Sequence, residues 1–461
     1  MTSALFRPEE LADVSCPKRE RGTYFVQTWG CQMNEEDSEQ LALHLQTIGF
    51  RRTSSMLEAH VILLNTCSVR RKPEDKAFSM LGELAILKKR RPEIIVGVCG
   101  CMAQLRADEI RQRAPFVDFV LGTGDISKVG GLVEEAAQSR RFAKRVELPS
   151  RKGAVVTDVP LRKVDRSAKL KAFVPIQYGC DKFCTFCIVP TTRGRERSRA
   201  THEIIQEVTQ LVDRGTREVT LLGQTVNSYG KNLLEGRVPF SQLLKELAEI
   251  DGLKRIRFMS PYPRDFKQDL IATMRDCPKV PEHVHLPLQS GDNDVLAAMH
   301  RVYTRESFLE IVRELRAAMP GVGLTTDIIA GFPGETEEQF ENTLSLLEEV
   351  RFDGAYSFIY SPRPGTPAGE MEQVPIHVRK SRVDRLIARQ NEITIENNAR
   401  CLGRTFEVLV EGPSPKNPST LQGYSREWRM MHFEGSPELA GELVNVEATE
   451  AHRWGLMGRL V

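Results

Sequence analysis

The sequence is poor in cysteine, in tryptophan and in net charge, and it has no long apolar stretch. Its 461 residues include 10 cysteines and 3 tryptophans, and the formal net charge at pH 7 is +2. A balance this close to neutral does not by itself indicate a nucleic-acid or membrane partner. The longest apolar runs, Val61 to Leu64 and Ile94 to Val98, are far too short to span a bilayer, so we expect no membrane association.

The start of the chain also lacks the apolar core of a secretory signal. Charged residues such as Arg7, Glu9 and Asp13 stand where an apolar region would be required. Without export, scattered cysteines indicate metal binding or catalysis in a reducing compartment, and not disulfides. We therefore expect a cytoplasmic enzyme, and the length predicts two or three domains.

Three of the cysteines are concentrated in one loop. Cys180, Cys184 and Cys187 have C-x3-C-x2-C spacing and follow an apolar strand candidate. Three thiolates at this spacing can hold three irons of a [4Fe–4S] cube and leave the fourth iron open to a small molecule. A structural zinc site normally closes with four ligands, and inert buried thiols seldom cluster in a chain with few cysteines. The loop therefore predicts a cluster with one open iron.

Three further cysteines follow successive strands near the N-terminus. Short apolar strands alternate with amphipathic helices over residues 23–138, which predicts an open parallel sheet. The first three strands end in Cys31, Cys67 and Cys101, and parallel topology should bring these thiols to one edge. They predict a second three-cysteine iron–sulfur cluster. Cys99 competes for the third position, but Gly100 can bend the chain out of the strand and so favours Cys101.

A second series of strand–helix units occupies residues 172–400. Its strands are expected at Ala172–Ile176, Glu218–Leu222, Arg255–Met259, His283–Leu286, Leu324–Ile329 and Ala355–Tyr360. Six strands are too few for the eightfold barrel, so an open six-stranded (βα)6 partial barrel is predicted. Polar residues collect past the strand ends, on the face where barrels place their active sites. The cysteine loop lies on that same face.

The motifs around both cysteine sets resemble those of a known enzyme family. Gly179–Pro190 resembles the cluster loop of radical S-adenosylmethionine (SAM) enzymes. Gly30–Asn34, Asn65–Arg70 and Gly100–Gln104 resemble the N-terminal motifs of the methylthiotransferases, in particular the MiaB-type tRNA methylthiotransferases. Further matches in the family's order are Thr192–Glu196, Leu222–Tyr229, His285–Gly291 and Thr326–Gly334. The resemblance spans residues 23–461.

This resemblance implies a radical mechanism with two [4Fe–4S] clusters. The cluster on the loop cysteines would bind SAM, and one-electron reduction would split SAM into methionine and a 5′-deoxyadenosyl radical. The radical would take hydrogen from C2 of an isopentenylated adenosine next to the anticodon, at position 37 of tRNA. The cluster on Cys31, Cys67 and Cys101 would present the sulfur, and a second SAM would supply the methyl group.

The family analogy also nominates contacts for SAM. The polar side chains past the barrel strands would hold it, and each has an alternative role as an ordinary helix cap or strand-end residue. The candidates are Gln224, Asn227, Gln289 and Asp327. We expect His285 to be a packed strand histidine and not a ligand.

Two basic runs are candidates for phosphate contact. Residues 141–171 carry ten Lys or Arg against three acids, which suits a solvated linker and a phosphate contact equally well. Alternate arginines after the cluster loop would point one way along an extended segment, where a tRNA backbone must dock. These RNA-binding candidates are Arg193, Arg195, Arg197 and Arg199.

The last sixty or so residues are predicted to form a small β module. Strands are expected at Phe406–Val410, Trp428–Phe433 and Leu443–Ala448, and the segment resembles a TRAM domain, a small RNA-binding barrel. From residue 402 it has six Lys or Arg and eight acids, so RNA binding there rests on family analogy and on aromatics such as Tyr424, Trp428 and Trp454. The expected order is a flexible tail (1–22), a methylthiotransferase domain (23–138), a basic linker (139–165), a radical SAM core (166–398) and a TRAM-like domain (399–461).

Two related activities and one non-catalytic role compete with this assignment. Related enzymes act on an aspartate of a ribosomal protein or on threonylcarbamoyl-adenosine in tRNA, but Gln32–Asn34 after Cys31 favours isopentenyladenosine. A non-catalytic iron–sulfur RNA-binding protein would need no open iron. The expected partners of a monomeric enzyme are tRNA with isopentenylated adenosine, an electron donor such as a flavodoxin or ferredoxin, and a sulfur or cluster donor.

Overall fold

A computed structural model describes residues 21–68, 71–139, 141–148, 162, 169–233 and 236–461. These residues form two compact units, one from residues 21–148 with residue 162 and one from residues 169–461. Nearly all of the predicted tail and most of the predicted linker lie outside the described residues, and the division into five segments stays a prediction. Within the described ranges, no helix combines the length and apolar character needed to cross a membrane.

The first unit is a parallel sheet covered by helices. Its strands are β1 (Gly22–Trp29), β2 (Phe50–Arg52), β3 (Val61–Thr66), β4 (Ile95–Cys99), β5 (Phe119–Leu121) and β6 (Ala143–Arg145). Its helices are α1 (Gln32–Thr47), α2 (Arg71–Arg90), α3 (Cys101–Arg113) and α4 (Val129–Ser139). The order β2-β1-β3-β4-β5-β6, with every pair parallel, confirms the predicted open sheet. The short edge strands β2 and β6 were not predicted, and β6 lies in the predicted linker.

Strand β3 illustrates how the sheet is buried on both faces. Val61 and Leu63 belong to a core shared with α1 and α4, while Ile62 and Leu64 belong to a second core shared with α2 and α3. Side chains alternate along a strand, so a strand covered on both faces must be apolar at successive positions. This requirement explains the unbroken apolar run in the sequence.

The second unit begins with the predicted series of strands and helices. Its strands are β7 (Lys171–Pro175), β8 (Gln177–Tyr178), β9 (Arg197–Ser198), β10 (Glu218–Leu222), β11 (Arg255–Phe258), β12 (His283–His285), β13 (Gly323–Ala330) and β14 (Gly354–Ile359). Its helices are α5 (Val189–Arg193), α6 (Thr201–Asp213), α7 (Phe240–Ala248), α8 (Gln268–Asp276), α9 (Asn293–Ala298), α10 (Arg305–Ala318), α11 (Glu337–Val350) and α12 (Ile376–Ala399).

All six predicted strands are present, but they pair as two three-stranded parallel sheets, β11-β10-β7 and β12-β13-β14. The interruption falls at β12, which is three residues long. Pro281 and Pro287 flank this strand, and proline cannot donate to a strand ladder. The antiparallel pair β8 and β9 is an addition beside the cysteine loop.

A closed five-stranded barrel completes the second unit. Its strands are β15 (Thr405–Pro413), β16 (Leu421–Ser425), β17 (Met430–Phe433), β18 (Leu443–His452) and β19 (Gly455–Leu460), in the order β15-β16-β17-β19-β18. The predicted small β module is therefore confirmed. Trp428, expected in a strand, instead lies in the turn before β17 with a φ of 69°.

This barrel packs on the amino ends of the core strands, away from the cysteine loop. Arg255, the first residue of β11, donates from Nη1 to Tyr424 O at 2.7 Å and from Nη2 to Glu407 O at 2.9 Å. Trp428 stacks between His283 and Tyr424, with centroid distances of 5.3 and 4.3 Å. The rings of Tyr424 and Trp428 therefore serve this internal contact, and among the three aromatics suggested for RNA the strongly exposed one is Trp454, at 78%.

Candidate active site

The C-x3-C-x2-C loop lies beyond the carboxyl end of β7, on the predicted active-site face. Gly179 opens the loop with a φ of 69°, and a Cβ there would lie 2.2 Å from Arg195 O, so no side chain fits. Cys180 N donates to Gly194 O at 3.1 Å, and Cys187 N donates to Cys184 O at 3.0 Å. These bonds fold the loop back on itself and keep its three thiols close together.

The chemistry of these thiols fits a [4Fe–4S] cluster. Burial raises the pKa of Cys180 to about 11 and that of Cys187 to about 12, and the neighbouring Cys184 adds to both increases. Such thiols keep their protons until iron displaces them. No His, Cys, Asp or Glu side chains in the described ranges converge as ligands of one metal ion. The three thiolate ligands of a [4Fe–4S] cube lie farther apart than the ligands of a single ion, because each thiolate binds a different iron.

The segment after α9 holds the backbone on both sides of Cys184. Thr185 N donates to Met299 O at 3.2 Å, and His300 Nδ1 lies 3.0 Å from Phe183 O. Because a carbonyl oxygen can only accept, Nδ1 carries the proton of this histidine. The cluster loop is thus fixed by contacts from a distant part of the chain.

Arg301 is a site residue that the sequence analysis missed. Its Nη1 donates to Cys184 Sγ at 3.4 Å, and its Nε donates to Tyr303 OH at 3.0 Å. The guanidinium lies 4.7 Å from the ring centroid of Tyr262 and 5.0 Å from that of Tyr303. Burial lowers the pKa of Arg301, but Tyr303 and Cys184 raise it by more, so the side chain stays cationic beside the cluster loop. Arg301 is 117 residues from Cys184, and no local spacing pattern could link them.

The two SAM candidates after β10 behave differently. Gln224 is partly buried and makes no hydrogen bond to any described residue, which leaves its amide available to a ligand. Asn227 uses both sides of its amide on Tyr262, donating to its O at 2.9 Å and accepting from its N at 2.7 Å. Asn227 therefore positions the loop that carries the Tyr262 ring against Arg301.

The other two SAM candidates lie on neighbouring strand ends. Gln289 N donates to Asp327 O at 2.8 Å. The carboxylate of Asp327 lies 3.4 Å from His285 Nε2, and His285 Nδ1 lies 3.0 Å from Thr325 Oγ1. His285 is buried and contacts Thr325 through one nitrogen, in agreement with its expected packed role. Contact of either candidate with SAM stays a prediction.

Backbone strain is concentrated on this face. Six non-glycine residues in the described ranges have a positive φ. Four of them, Phe183, Ser260, Gln289 and His300, lie in the cluster loop, past a strand end or in the segment that holds the loop. Each such conformation costs about 1–3 kcal/mol and persists where the surrounding structure enforces it, typically at functional sites. This strain supports the assignment of the face as the active site.

The four arginines predicted to bind RNA do not share one surface. Arg193, Arg197 and Arg199 are buried, and Arg199 forms an internal ion pair with Glu207 at 2.7 Å. Arg195 alone among the four has a substantially exposed side chain, at 42%. RNA contact by the other three stays a prediction that their burial does not favour.

The expected alternation fails because the segment is not extended throughout. Arg193 ends helix α5, and Gly194 turns the chain with a φ of 75°. Arg197 then enters β9 and pairs with Tyr178 of β8, which encloses its side chain. A single extended path, which would place alternate side chains on one side, does not exist here.

The N-terminal cysteines meet at one edge of their sheet, as the topology requires. Trp29 of β1 is opposite Thr66 of β3, and Asn65 of β3 is opposite Cys99 of β4, so the three strands end level. Cys31, Cys67 and Cys101 each follow within two residues of those ends. Adjacent strands lie about 4.8 Å apart, so these three span roughly 10 Å. That spacing suits three ligands of one cube.

The surroundings of this edge favour Cys101 over Cys99. Cys99 lies in the apolar core of the sheet with Leu63, whereas Cys101 is the first residue of α3. Gly100 has a φ of 90°, and a Cβ there would lie 2.2 Å from Asn65 Oδ1, so glycine allows the close approach of the two loops. Cys31 occupies the N-cap position of α1, and helix N-termini favour thiolates.

Three family profiles match the chain. The profile described as Radical SAM superfamily matches residues 174–347, and the TRAM domain profile matches residues 399–461. A profile described as Uncharacterized protein family UPF0004 matches residues 23–122. The predicted resemblances to radical SAM enzymes and to the TRAM domain are confirmed.

The chain also has close relatives and more distant structural neighbours. It is 48% identical over 444 residues to the tRNA-2-methylthio-N(6)-dimethylallyladenosine synthase of Moorella thermoacetica, covering 96% of this chain and 99% of that protein. It is 47% identical to the protein of the same name from Bacillus subtilis, over 95% of this chain and 86% of that one. The radical SAM methyltransferase TsrM from Kitasatospora setae has a TM-score of 0.54 at 14% identity, covering 86% of this chain and 79% of that one, which shows a shared fold. The chain therefore belongs to the tRNA-2-methylthio-N(6)-dimethylallyladenosine synthase family of radical SAM enzymes.

Proposed function

We propose that this chain methylthiolates C2 of N(6)-isopentenyladenosine next to the anticodon, at position 37 of tRNA. The relatives that it matches over nearly their full length carry the name of this activity. The structural observation that carries the proposal is the second cysteine set, Cys31, Cys67 and Cys101, on three level strand ends. An enzyme that only abstracts hydrogen does not need this second site, whereas sulfur insertion needs a sulfur source.

Membership of the radical SAM family implies a [4Fe–4S] cluster and SAM, which together supply a 5′-deoxyadenosyl radical on one-electron reduction. The chain's own residues prepare the site. The loop thiols provide three ligands, and Arg301 supplies a positive charge at Cys184 Sγ. Asn227 positions Tyr262 against that arginine. Gln224 has the free amide best suited to hold SAM, with Gln289 and Asp327 as further candidates.

The second [4Fe–4S] cluster is part of this proposal. Its support is the level register of three strand ends, the close approach at Gly100 and the helix N-terminus at Cys31. Anaerobic reconstitution should give about eight irons per chain if both sites build cubes. Four irons, with the N-terminal cysteines dispensable, would contradict the two-cluster proposal.

The proposal includes partners that the reaction requires. An electron donor such as a flavodoxin or ferredoxin would reduce the cluster, and a sulfur or cluster donor would restore the consumed sulfur. We place the reaction in the cytoplasm, where tRNA is modified, and expect a monomer.

The direct test is mass spectrometry of nucleosides from the tRNA of a strain that lacks this gene. The strain should accumulate isopentenyladenosine without its methylthio group. A complementing copy of the gene should restore 2-methylthio-isopentenyladenosine. Persistence of that nucleoside in the deletion strain would reject the assigned substrate.

A further inference from the structure

An exposed aromatic side chain lies within the cluster loop itself. Phe183 stands between Cys180 and Cys184, and 46% of its surface is exposed. Its neighbour Phe186 takes the opposite role, packing edge-on against Phe332 at a centroid distance of 6.4 Å. Phe186 therefore packs against the interior, while Phe183 faces solvent.

The outward position of Phe183 is enforced by the backbone. Its φ is 50°, a conformation that glycine or asparagine adopts at lower cost than phenylalanine. The Phe183 carbonyl is held at 3.0 Å by His300 Nδ1, and Thr185 N is held at 3.2 Å by Met299 O. With the chain fixed on both sides, the backbone sets the direction in which the Phe183 side chain leaves the loop. Positive-φ strain of this kind is typical of functional sites.

Arg195 extends the aromatic surface with a planar cation. Its guanidinium carbon lies 4.9 Å from the ring centroid of Phe183. Its Nε donates to Asp181 Oδ1 at 2.6 Å, and the same oxygen accepts from Glu196 N at 3.1 Å. This ion pair fixes the guanidinium against the ring. We refer to the two side chains, Phe183 and Arg195, as the stacking surface.

We propose that the stacking surface binds a nucleobase of the RNA substrate, next to the adenosine that is modified. This inference rests on the proposed function. Aromatic rings and guanidinium planes are the surfaces on which single-stranded bases stack. Chemistry at C2 requires the target base to leave its stack, which also removes a stacking partner from its neighbour. The stacking surface replaces that partner for the neighbouring base and so keeps the target base extruded.

The surface could instead receive the electron-donor protein, since it lies beside a cluster. The described features favour RNA. Phe183 and Arg195 form a ring and a guanidinium in contact, and every base has a face that can cover such a pair without sequence preference. The surface also lies on the face of the barrel where the substrate must enter. We therefore assign it to RNA, and binding of the electron donor is an alternative outcome of the test.

The test measures binding of an anticodon stem–loop RNA to the reconstituted enzyme, compared at equal iron content. Stacking of one base contributes about 1–3 kcal/mol, so Phe183→Ala should weaken binding by roughly 5- to 150-fold. Phe183→Trp should bind within about threefold of the wild type, because a larger ring stacks as well. Ile86→Ala, which removes an exposed apolar side chain of α2, is the matched control and should leave binding unchanged.

A fluorescent base locates the contact. With 2-aminopurine beside the target adenosine, wild-type enzyme should quench the fluorescence by stacking, and Phe183→Ala should restore it. The salt dependence of binding should keep its slope in this variant, since no phosphate contact is lost. Arg195→Ala should weaken binding and also reduce the slope if its cation reaches a phosphate.

Three outcomes would overturn the assignment. If wild-type enzyme methylthiolates the RNA while Phe183→Ala binds it equally well and quenches the probe equally, the stacking surface is wrong and the proposed function stands. If the variant keeps RNA binding but loses reduction by the protein donor, and not by dithionite, the surface belongs to the electron donor. A wild-type enzyme that neither binds nor modifies the RNA would overturn both proposals.

Discussion

Replacing Arg301 with glutamine should make the cluster on the C-x3-C-x2-C loop harder to reduce. The guanidinium donates to Cys184 Sγ at 3.4 Å and lies against the rings of Tyr262 and Tyr303. Reduction adds negative charge to the cluster, and a hydrogen bond from a cation to a ligand sulfur stabilises that charge. Loss of the cation should therefore lower the reduction potential.

The size of the effect follows from the strength of this bond. A hydrogen bond to a charged group contributes about 1.5–3 kcal/mol, which for one electron corresponds to about 65–130 mV. The oxidised cluster also carries thiolate charge and gains part of this stabilisation. We therefore expect a decrease near the lower end of that range, about 65 mV. Arg301→Lys keeps the charge but loses the planar geometry, so its decrease should be smaller.

The assay is a redox titration of the reduced cluster by electron paramagnetic resonance. It is best done with Cys31, Cys67 and Cys101 replaced by alanine, so that the loop cluster alone gives the signal. Arg305→Gln is the matched control, because that arginine bonds Glu349 at 3.0 Å and not a loop sulfur. An Arg301→Gln potential within about 20 mV of the parent, at equal iron content, would show that the Arg301 cation does not tune the cluster.

Two further predictions concern the loop and the base of the core. Gly179→Ala should reduce the iron of the reconstituted enzyme from about eight toward about four per chain, because the new Cβ would lie 2.2 Å from Arg195 O and distort the loop. Full iron content in this variant would show that the loop tolerates a side chain at this position. Burial lowers the pKa of His283 well below its usual range, so the folded state keeps it neutral while the unfolded chain protonates below about pH 6.5. The free energy of unfolding should therefore fall as pH drops below 6.5, by up to about 1.4 kcal/mol per unit, and His283→Gln should reduce that slope in urea titrations at pH 7.5 and 5.5. An unchanged slope would mean that groups other than His283 cause the loss of stability below pH 6.5.

The parts of the fold that sequence could predict are those that follow from repeating patterns. Strands such as β3 are apolar at successive positions because both faces are covered. The meeting of Cys31, Cys67 and Cys101 follows from parallel topology, in which equivalent ends share an edge. The break at β12 was missed, although Pro281 and Pro287 could have indicated it.

The parts that could not be predicted depend on contacts between distant residues. Arg301 reaches Cys184 across 117 positions, and nothing near either residue indicates the contact. SAM contact by Asn227 stays a prediction from its place after a strand, and the structure adds that both sides of its amide bond the Tyr262 backbone. A polar strand end can bind a ligand or hold a loop, and the residue type alone does not distinguish the two.

The Arg193–Arg199 run shows a different difficulty. Its alternation predicts one exposed face only if the segment is extended from end to end. The turn at Gly194 and the pairing of β9 with β8 interrupt that path and bury three of the four arginines. Charge along a sequence therefore did not reveal which cation is exposed, whereas the structure identifies Arg195.

In the proposed function, the loop cysteines hold the cluster that would split SAM, and the N-terminal cysteines determine that sulfur is inserted. The most direct measurement is nucleoside mass spectrometry of tRNA from the deletion strain complemented with the variant in which Cys31, Cys67 and Cys101 are all alanine. Isopentenyladenosine should remain without its methylthio group, while the purified variant should still cleave SAM. Restoration of 2-methylthio-isopentenyladenosine by that variant would show that these three cysteines are not needed for sulfur insertion.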